Sequence, residues 1–259
     1  MRVIAVANQK GGVGKTTTAI TLGTLLALRG RRVLLVDMDP QGSLTSYFQY
    51  EPEQMGKGVY EVFRRPGLPL QKVVVGTSVK GLALMPANTA QATLERQLGA
   101  RPGKGLVLAQ ALHRYRDRFD VAIVDSPPVL GLLMVNALAA SRQLLIPVET
   151  DFMALKGLER IMGSLAMVNK SLRRPLDARI LPTLYDPRAR AGVEALRQLY
   201  RKYPRLVLDE VIPEDPKFRE AARQQQPAPV LYPRSPGVVA YERVLAHLVP
   251  GLQPAARTG

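Results

Sequence analysis

The sequence predicts an α/β fold: a mostly parallel, twisted sheet with helices on both faces. Three observations carry that expectation. Short runs rich in Val, Ile and Leu alternate with longer stretches whose apolar residues recur at helical spacing. The runs are apolar throughout, as strands buried on both faces must be. Several of them end on glycine-rich or acidic turns, and in such sheets ligands bind beyond the carboxyl ends of the strands.

Taken in order, Arg2 to Ala7 reads as a strand that ends at a glycine loop, and Thr16 to Arg29 as a helix stopped by Gly30. Arg32 to Val36 is the next strand, closed by Asp37-Met38-Asp39-Pro40. Leu82 to Pro86 reads as a short strand, Leu106 to Tyr115 as a helix, and Phe119 to Val124 as a strand ending on Asp125. Gln143 to Val148 is a strand, Leu155 to Asn169 a helix and Arg179 to Thr183 a strand. Ala191 to Tyr203 has an amphipathic helical pattern, Val207 to Ile212 is expected to be the last strand, and Tyr241 to Leu248 the closing helix. The segments Tyr50 to Lys80 and Gln224 to Pro236 fit the alternation poorly. One domain over residues 1–250 is expected, with 251–259 as a flexible tail.

Bulk composition narrows the function. A chain of 259 residues with 46% hydrophobic and 22% charged residues is ordinary for a globular domain. No apolar run reaches bilayer length and the start does not read as a signal peptide, so the cytoplasm is the expected compartment. With no cysteine, disulfides, thiolate metal sites and iron–sulfur clusters are excluded. The formal charge of +15 favours a polyanionic partner, although an arginine-rich compositional bias would give the same number.

The most specific motif is Asn8-Gln9-Lys10-Gly11-Gly12-Val13-Gly14-Lys15-Thr16-Thr17. A turn from strand to helix aims several backbone N–H groups at one point, where the helix dipole adds positive potential. Small residues there let the backbone wrap a phosphate. Gln9, Lys10, Gly11, Gly12, Val13, Gly14, Lys15, Thr16 and Thr17 are therefore the expected nucleotide contacts. Lys15 would reach the β- and γ-phosphates and the Thr16 hydroxyl would ligate Mg²⁺. A glycine-rich turn that merely joins strand to helix is the bland alternative.

Position 9, where the common phosphate-loop motif has its first glycine, is Gln9, followed by Lys10. That second lysine marks the deviant Walker-A class, and the sequence resembles the ParA/MinD group of ATPases. The resemblance extends through Val36-Asp37-Met38-Asp39-Pro40-Gln41-Gly42, Val124-Asp125-Ser126-Pro127-Pro128, Ala154-Leu155-Lys156-Gly157-Leu158, Leu181 to Arg188 and Val211-Ile212-Pro213. It implies a P-loop NTPase with ATP and Mg²⁺ as cofactors. By the same resemblance Lys10 would reach the phosphates of a second subunit in a nucleotide-sandwich homodimer, Asp125 would hold Mg²⁺, and Asp39 would orient the attacking water. Lys10, Lys15 and Asp39 are thus the implied catalytic residues, with Thr16 and Asp125 at the metal. A solvated loop lysine remains the alternative for Lys10, and Asp37 reads as a supporting or turn-capping residue. Adenine would lie near Pro213 and Asp215, where Asp215 stands in place of an amide.

ParA-like proteins also bind duplex DNA non-specifically through basic residues, and the resemblance points to Arg188, Arg190, Lys217 and Arg219, whose alternative is a solvated helix face. The implied function is a ParA-type DNA partition ATPase, nucleoid-associated and stimulated by a ParB-like partner. A MinD-like membrane-positioning ATPase would need an amphipathic carboxyl-terminal helix, and Leu248 to Pro254 is broken by Pro and Gly, so no membrane partner is expected. A non-catalytic, ATP-switched DNA-binding regulator is the other alternative.

Overall fold

A computed structural model describes residues 1–99, 103–172 and 174–249, so position 250 and the expected tail at 251–259 lie outside the described residues. The elements run β1 (Arg2–Val6), α1 (Lys15–Leu28), β2 (Val33–Asp37), α2 (Ser43–Tyr47), α3 (Val59–Arg64), β3 (Val75–Gly76), β4 (Leu82–Met85), α4 (Leu94–Leu98), α5 (Val107–Arg114) and β5 (Val121–Asp125). They continue as α6 (Leu132–Ala140), β6 (Gln143–Glu149), α7 (Ala154–Leu172), β7 (Asp177–Thr183), α8 (Arg190–Lys202), α9 (Lys217–Arg223), α10 (Ala228–Leu231) and α11 (Pro236–Leu248).

The seven strands form one sheet in the order β3-β4-β2-β5-β1-β6-β7. Every neighbouring pair is parallel except β3 with β4. Alternation of side chains along each strand divides the core into layers. Ile4, Val6, Leu35, Ile123 and Leu145 face one side, where α1 and α11 cover them. Leu34, Val36, Ala122 and Val124 face the other, under α3, α5 and α6. Farther along that side, Leu144, Ile146, Val148 and Ile180 pack with α7 and α8. All five residues of β2 and of β5 are buried, which is why neither strand shows a polar alternation in sequence.

The expected strand at Val207 to Ile212 is not formed; only isolated bridges, Ile180 with Val207 and Tyr185 with Pro213, tie this stretch to β7. The reason is chemical. Pro182 has no N–H to donate, so the ladder breaks where it would need one. The Leu208 carbonyl instead accepts from Tyr200 Oη at 3.0 Å, and Ile212 N–H rejoins at the Pro182 carbonyl. The stretch from Tyr50 to Lys80 contributes α3 and the two-residue edge strand β3, while Gln224 to Pro236 contains α10. Helix α11 begins at Pro236, earlier than its apolar pattern indicates, because Ser235 caps it and proline suits the first turn.

Candidate nucleotide site

The register of the central strands brings the site together. Val6 of β1 and Asp37 of β2 both lie opposite Asp125 of β5, so the loops that follow these strands leave from one carboxyl edge of the sheet. Residues 8 to 14 form the first loop. Gly12 and Gly14 have φ of 77° and 86°, in the left-handed region that a side chain would strain. The loop is held from outside its own sequence: Asn8 Nδ2 donates to the Pro147 carbonyl at 2.7 Å and Thr183 Oγ1 to the Val13 carbonyl at 3.0 Å. Gln9 Nε2 donates to Ser164 Oγ of α7 at 2.6 Å.

Lys15, the first residue of α1, is buried and donates to the Lys10 carbonyl at 3.0 Å. Its desolvation lowers its pKa, with the charges of Asp125 and Asp39 opposing that shift. Thr16 Oγ1 donates to Asp125 Oδ2 at 2.7 Å, and Asp125 Oδ1 is buried with no hydrogen-bond partner. Burial is the main reason the Asp125 carboxyl is raised to about 8, with the charge of Asp37 adding to it. A hydroxyl beside a carboxylate with an unused buried oxygen fits a hard cation such as Mg²⁺. Among the described residues no group of three or more acidic, His or Cys side chains could hold a metal ion, so phosphate and water would supply its other ligands.

Asp37 is wholly buried and accepts from Thr45 N–H at 2.9 Å, Thr45 Oγ1 at 2.6 Å and Asp39 N–H at 3.2 Å. Burial raises it to about 7 against those hydrogen bonds. Its bonds fix the β2 turn and the start of α2, a supporting position. Asp39 is half-exposed, and its Oδ1 accepts from Gln41 N–H at 3.0 Å.

Lys10 does not point into its own loop. Its ammonium lies 2.7 Å from Glu149 Oε2 and bonds Asp151 as well. Neither acid stood out in the sequence, although Glu149 ends a strand just as Asp37 and Asp125 do. Around this edge Val129, Leu130, Phe152 and Met153 are exposed, Phe152 by 90%.

A cleft of about 280 Å³ opens beside Gly12, Gly14 and Thr17 and is bordered by Pro213, Asp215 and Phe218. Thus the two residues expected at the base do meet the phosphate loop. Asp215, however, already accepts through both oxygens, from Lys217 N–H and Gly237 N–H, each at 2.9 Å. Tyr241, which also borders the cleft, shares a 2.7 Å hydrogen bond with Thr18 of α1.

Of the four expected DNA contacts, Arg188 pairs with Asp186, Lys217 with Glu220 and Arg219 with Glu214. Arg190 makes no ion pair among the described residues. The Tyr185 to Pro213 bridge brings the two segments side by side on the carboxyl edge. Arg219 also borders the cleft beside Gly12 and Gly14.

Comparison with known proteins places this geometry. The family model described as AAA domain matches residues 1–178. The sporulation initiation inhibitor protein Soj of Bacillus subtilis is 36% identical over 93% of this chain and 95% of its own length. The chromosome partitioning protein ParA of Caulobacter vibrioides is 33% identical over 96% of this chain and 94% of its own. Among solved structures, cobyrinic acid a,c-diamide synthase from Mycobacterium smegmatis, with bound ATP analogue and magnesium, has a TM-score of 0.82 at 34% identity, covering 97% of both chains. An ATP complex of a variant of Cyanothece McdA has a TM-score of 0.88 over 99% of both chains at 24% identity, a likeness of fold.

Proposed function

Because this chain belongs to the AAA domain family and, within it, to the ParA/Soj partition ATPases, we propose that it is an ATP-hydrolysing DNA-partition protein. In this reading ATP and Mg²⁺ join two copies into a nucleotide-sandwich dimer. The dimer binds duplex DNA non-specifically, and a ParB-like protein stimulates hydrolysis and release. Such a protein works in the cytoplasm, on the nucleoid.

One observation carries the proposal: Lys10 lies outside its own phosphate cradle while Lys15, Thr16 and Asp125 gather inside it. A cation turned outward beside exposed Phe152 and Met153 suits a site completed by a second copy. The backbone of residues 11 to 16 would hold the phosphates, with Lys15 neutralising charge on the β- and γ-oxygens. Thr16 and Asp125 would hold Mg²⁺, whose charge stabilises the leaving diphosphate. Asp39, with one oxygen engaged by Gln41 N–H, keeps its other oxygen for orienting water. Lys10 of the second copy would meet charge that develops in the transition state. Pro213 and Asp215 would flank the base, and Arg188, Arg190, Lys217 and Arg219 would face DNA phosphates.

Duplex binding measured with ADP, with ATP and with a non-hydrolysable analogue tests the proposal. Tight binding with ATP and the analogue but not with ADP is expected. Equal affinity in all three states would remove the nucleotide switch.

A further inference from the structure

Asp39 is half-exposed, yet the peptide unit that precedes it is held at both polar ends. The Met38 carbonyl accepts from Gln91 Nε2 at 3.3 Å, and the Asp39 N–H donates to Asp37 Oδ1 at 3.2 Å. That planar unit cannot turn over without breaking both hydrogen bonds, and its orientation sets the direction in which the Asp39 side chain leaves the backbone. Met38 N–H donates to the Asp125 carbonyl at 2.9 Å, which ties the same residue to the end of β5. Beyond Asp39 the turn closes through Gly42 N–H to the Asp39 carbonyl at 2.9 Å. Gly42 has a φ of 64°, and a Cβ there would lie 2.4 Å from the Pro52 ring.

Both holds trace back to residues 87–91, the segment that leaves β4 beside β2. Thr45 fixes Asp37 from its other oxygen, with Thr45 N–H and Oγ1 donating to Oδ2 at 2.9 and 2.6 Å. Thr45 Oγ1 itself accepts from Ala87 N–H at 2.8 Å, which commits its proton to Asp37. Gln91 Oε1 accepts from Asn88 N–H at 2.9 Å, which commits Nε2 to the Met38 carbonyl. Asn88 in turn caps the 3₁₀ turn Thr89–Thr93 through Ala90 N–H at 2.7 Å. Asp37, Thr45 and Gln91 are fully buried, where water competes little for such bonds. Packing alone does not call for these two polar side chains. Helix α2 is also held by buried Leu44 and by Tyr47 Oη, which donates to the Gln226 carbonyl at 2.8 Å, and buried Leu94 anchors the chain after Gln91. Neither Thr45 nor Gln91 borders the cleft beside the phosphate loop. What they share is the turn that carries Asp39.

We propose that Thr45 and Gln91 are positioning residues for ATP hydrolysis. Together they hold the Met38–Asp39 peptide so that the free Asp39 oxygen stays aimed at the attacking water. This rests on the role proposed above for Asp39. Neither residue touches the nucleotide; each acts through the Asp39 turn, Thr45 by way of Asp37 and Gln91 by way of the Met38 carbonyl. A misplacement of about 1 Å in a reacting group is enough to cost about 10²-fold in rate. Loss of either hold therefore slows the chemical step. It leaves ATP affinity in place, because the phosphate contacts belong to the separate loop that ends at Thr17.

The test is single-turnover hydrolysis of ATP with Mg²⁺ by the full-length protein, beside equilibrium titration with a fluorescent ATP analogue. The variants are Thr45→Val, Thr45→Ser, Gln91→Met and Asp39→Ala, with Thr45→Val and Gln91→Met each also combined with Asp39→Ala. Thr45→Val keeps the shape and removes the hydroxyl, whereas Thr45→Ser keeps both of its hydrogen bonds. Thr45→Val and Gln91→Met are expected to slow hydrolysis by about 10- to 100-fold, with affinity for the analogue within about threefold of the unmodified protein. Thr45→Ser should hydrolyse within about threefold of the unmodified rate. Because both residues act through Asp39, adding either substitution to Asp39→Ala should cost less than about twofold more. If Thr45→Val does not fold, as judged by loss of analogue binding, Gln91→Met alone and with Asp39→Ala carries the test. Hydrolysis within about threefold of normal in the single variants, while Asp39→Ala is slow, overturns the positioning role and leaves that of Asp39 standing. Additive loss in the double variants, a parallel fall in affinity, or equal slowing by Thr45→Ser overturns it too, since each marks a role in the fold alone. Normal hydrolysis by Asp39→Ala, or none by the unmodified protein, refutes the reading of Asp39 and this inference with it.

Discussion

Lys10 Nζ lies 2.7 Å from Glu149 Oε2 and bonds Asp151 two residues on, so the loop lysine is moored to the end of β6 and the turn before α7. Burial opposes its charge, but the bonds to Asp151 and Glu149 outweigh that and hold the ammonium above its ordinary range. The three side chains are 28%, 32% and 35% exposed, and pairs this open contribute at most about 1 kcal/mol. The mooring is therefore strong enough to orient Lys10 and weak enough for a phosphate to displace it.

Release of this mooring should ease dimer formation. The double variant Glu149→Gln/Asp151→Asn is expected to dimerise at up to about fivefold lower ATP, the equivalent of about 1 kcal/mol. Sedimentation across an ATP titration checks this. A higher ATP requirement would mean that the acids hold Lys10 in its working position instead.

Asp39→Ala should separate binding from turnover. If Asp39 orients water, phosphate release falls by about 10² or more while ATP affinity stays within a few-fold. Single-turnover assays alongside equilibrium nucleotide titration distinguish the two. Normal turnover would place the role on another group.

The buried acids predict a pH dependence in metal-free protein. Asp125 is raised to about 8 and Asp37 to about 7, both above their unfolded values. Between about pH 4 and those values the folded state holds protons that the unfolded state has released. Stability is therefore greatest at low pH on this account and falls as pH rises through about 7 and 8. Melting in EDTA should drop by at least several degrees from about pH 6 to about pH 8.5. Mg²⁺ with ADP should restore it, with proton release detectable by calorimetry in buffers of different ionisation enthalpy. A flat profile in EDTA would contradict these shifts.

Arg190 should matter more to ATP-dependent DNA binding than Arg188, because Arg188 is already paired with Asp186 at 2.9 Å. Arg190→Ala is expected to lower the salt slope by about 0.9 and Arg188→Ala by less. Equal effects would show that the Asp186 pair opens when DNA binds.

Gly237→Ala should destabilise the fold and the cleft beside the phosphate loop together. A Cβ there would sit 2.3 Å from the Phe218 ring and 3.0 Å from Asp215 Oδ2. The ring cannot simply swing aside, because it stands edge-on to Tyr241 with centroids 5.8 Å apart. A loss of about 1–3 kcal/mol in urea unfolding is expected, with weaker binding of a fluorescent ATP analogue.

The phosphate loop was legible in sequence because it is local: ten consecutive residues, Asn8 to Thr17, set the turn, the helix start and the two lysines. Strands β1, β2 and β5 were legible because burial on both faces leaves an unbroken apolar run. Val207 to Ile212 misled although Asp209 and Glu210 interrupt it, because Val207, Leu208 and Ile212 are buried beside β7. Its apolar pattern reflects packing against β7, while the missing N–H of Pro182 denies it a ladder. Asp215 was expected at the base and borders the cleft beside the phosphate loop, but its backbone N–H partners at Lys217 and Gly237 were not readable.

By itself, then, the sequence determined the nucleotide loop, the acidic strand ends, the family and the parallel sheet, since each rests on short-range pattern or on residue type. Only the tertiary structure decided what Lys10 touches and which strand ends meet. Glu149 and Asp151 reach Lys10 across 139 and 141 residues. Asp37 and Asp125 meet beside the phosphate loop only because the sheet sets β2, β5 and β1 side by side, out of chain order. Contacts and fields of that kind depend on which distant segments the sheet sets side by side, and no local stretch of sequence carries that information.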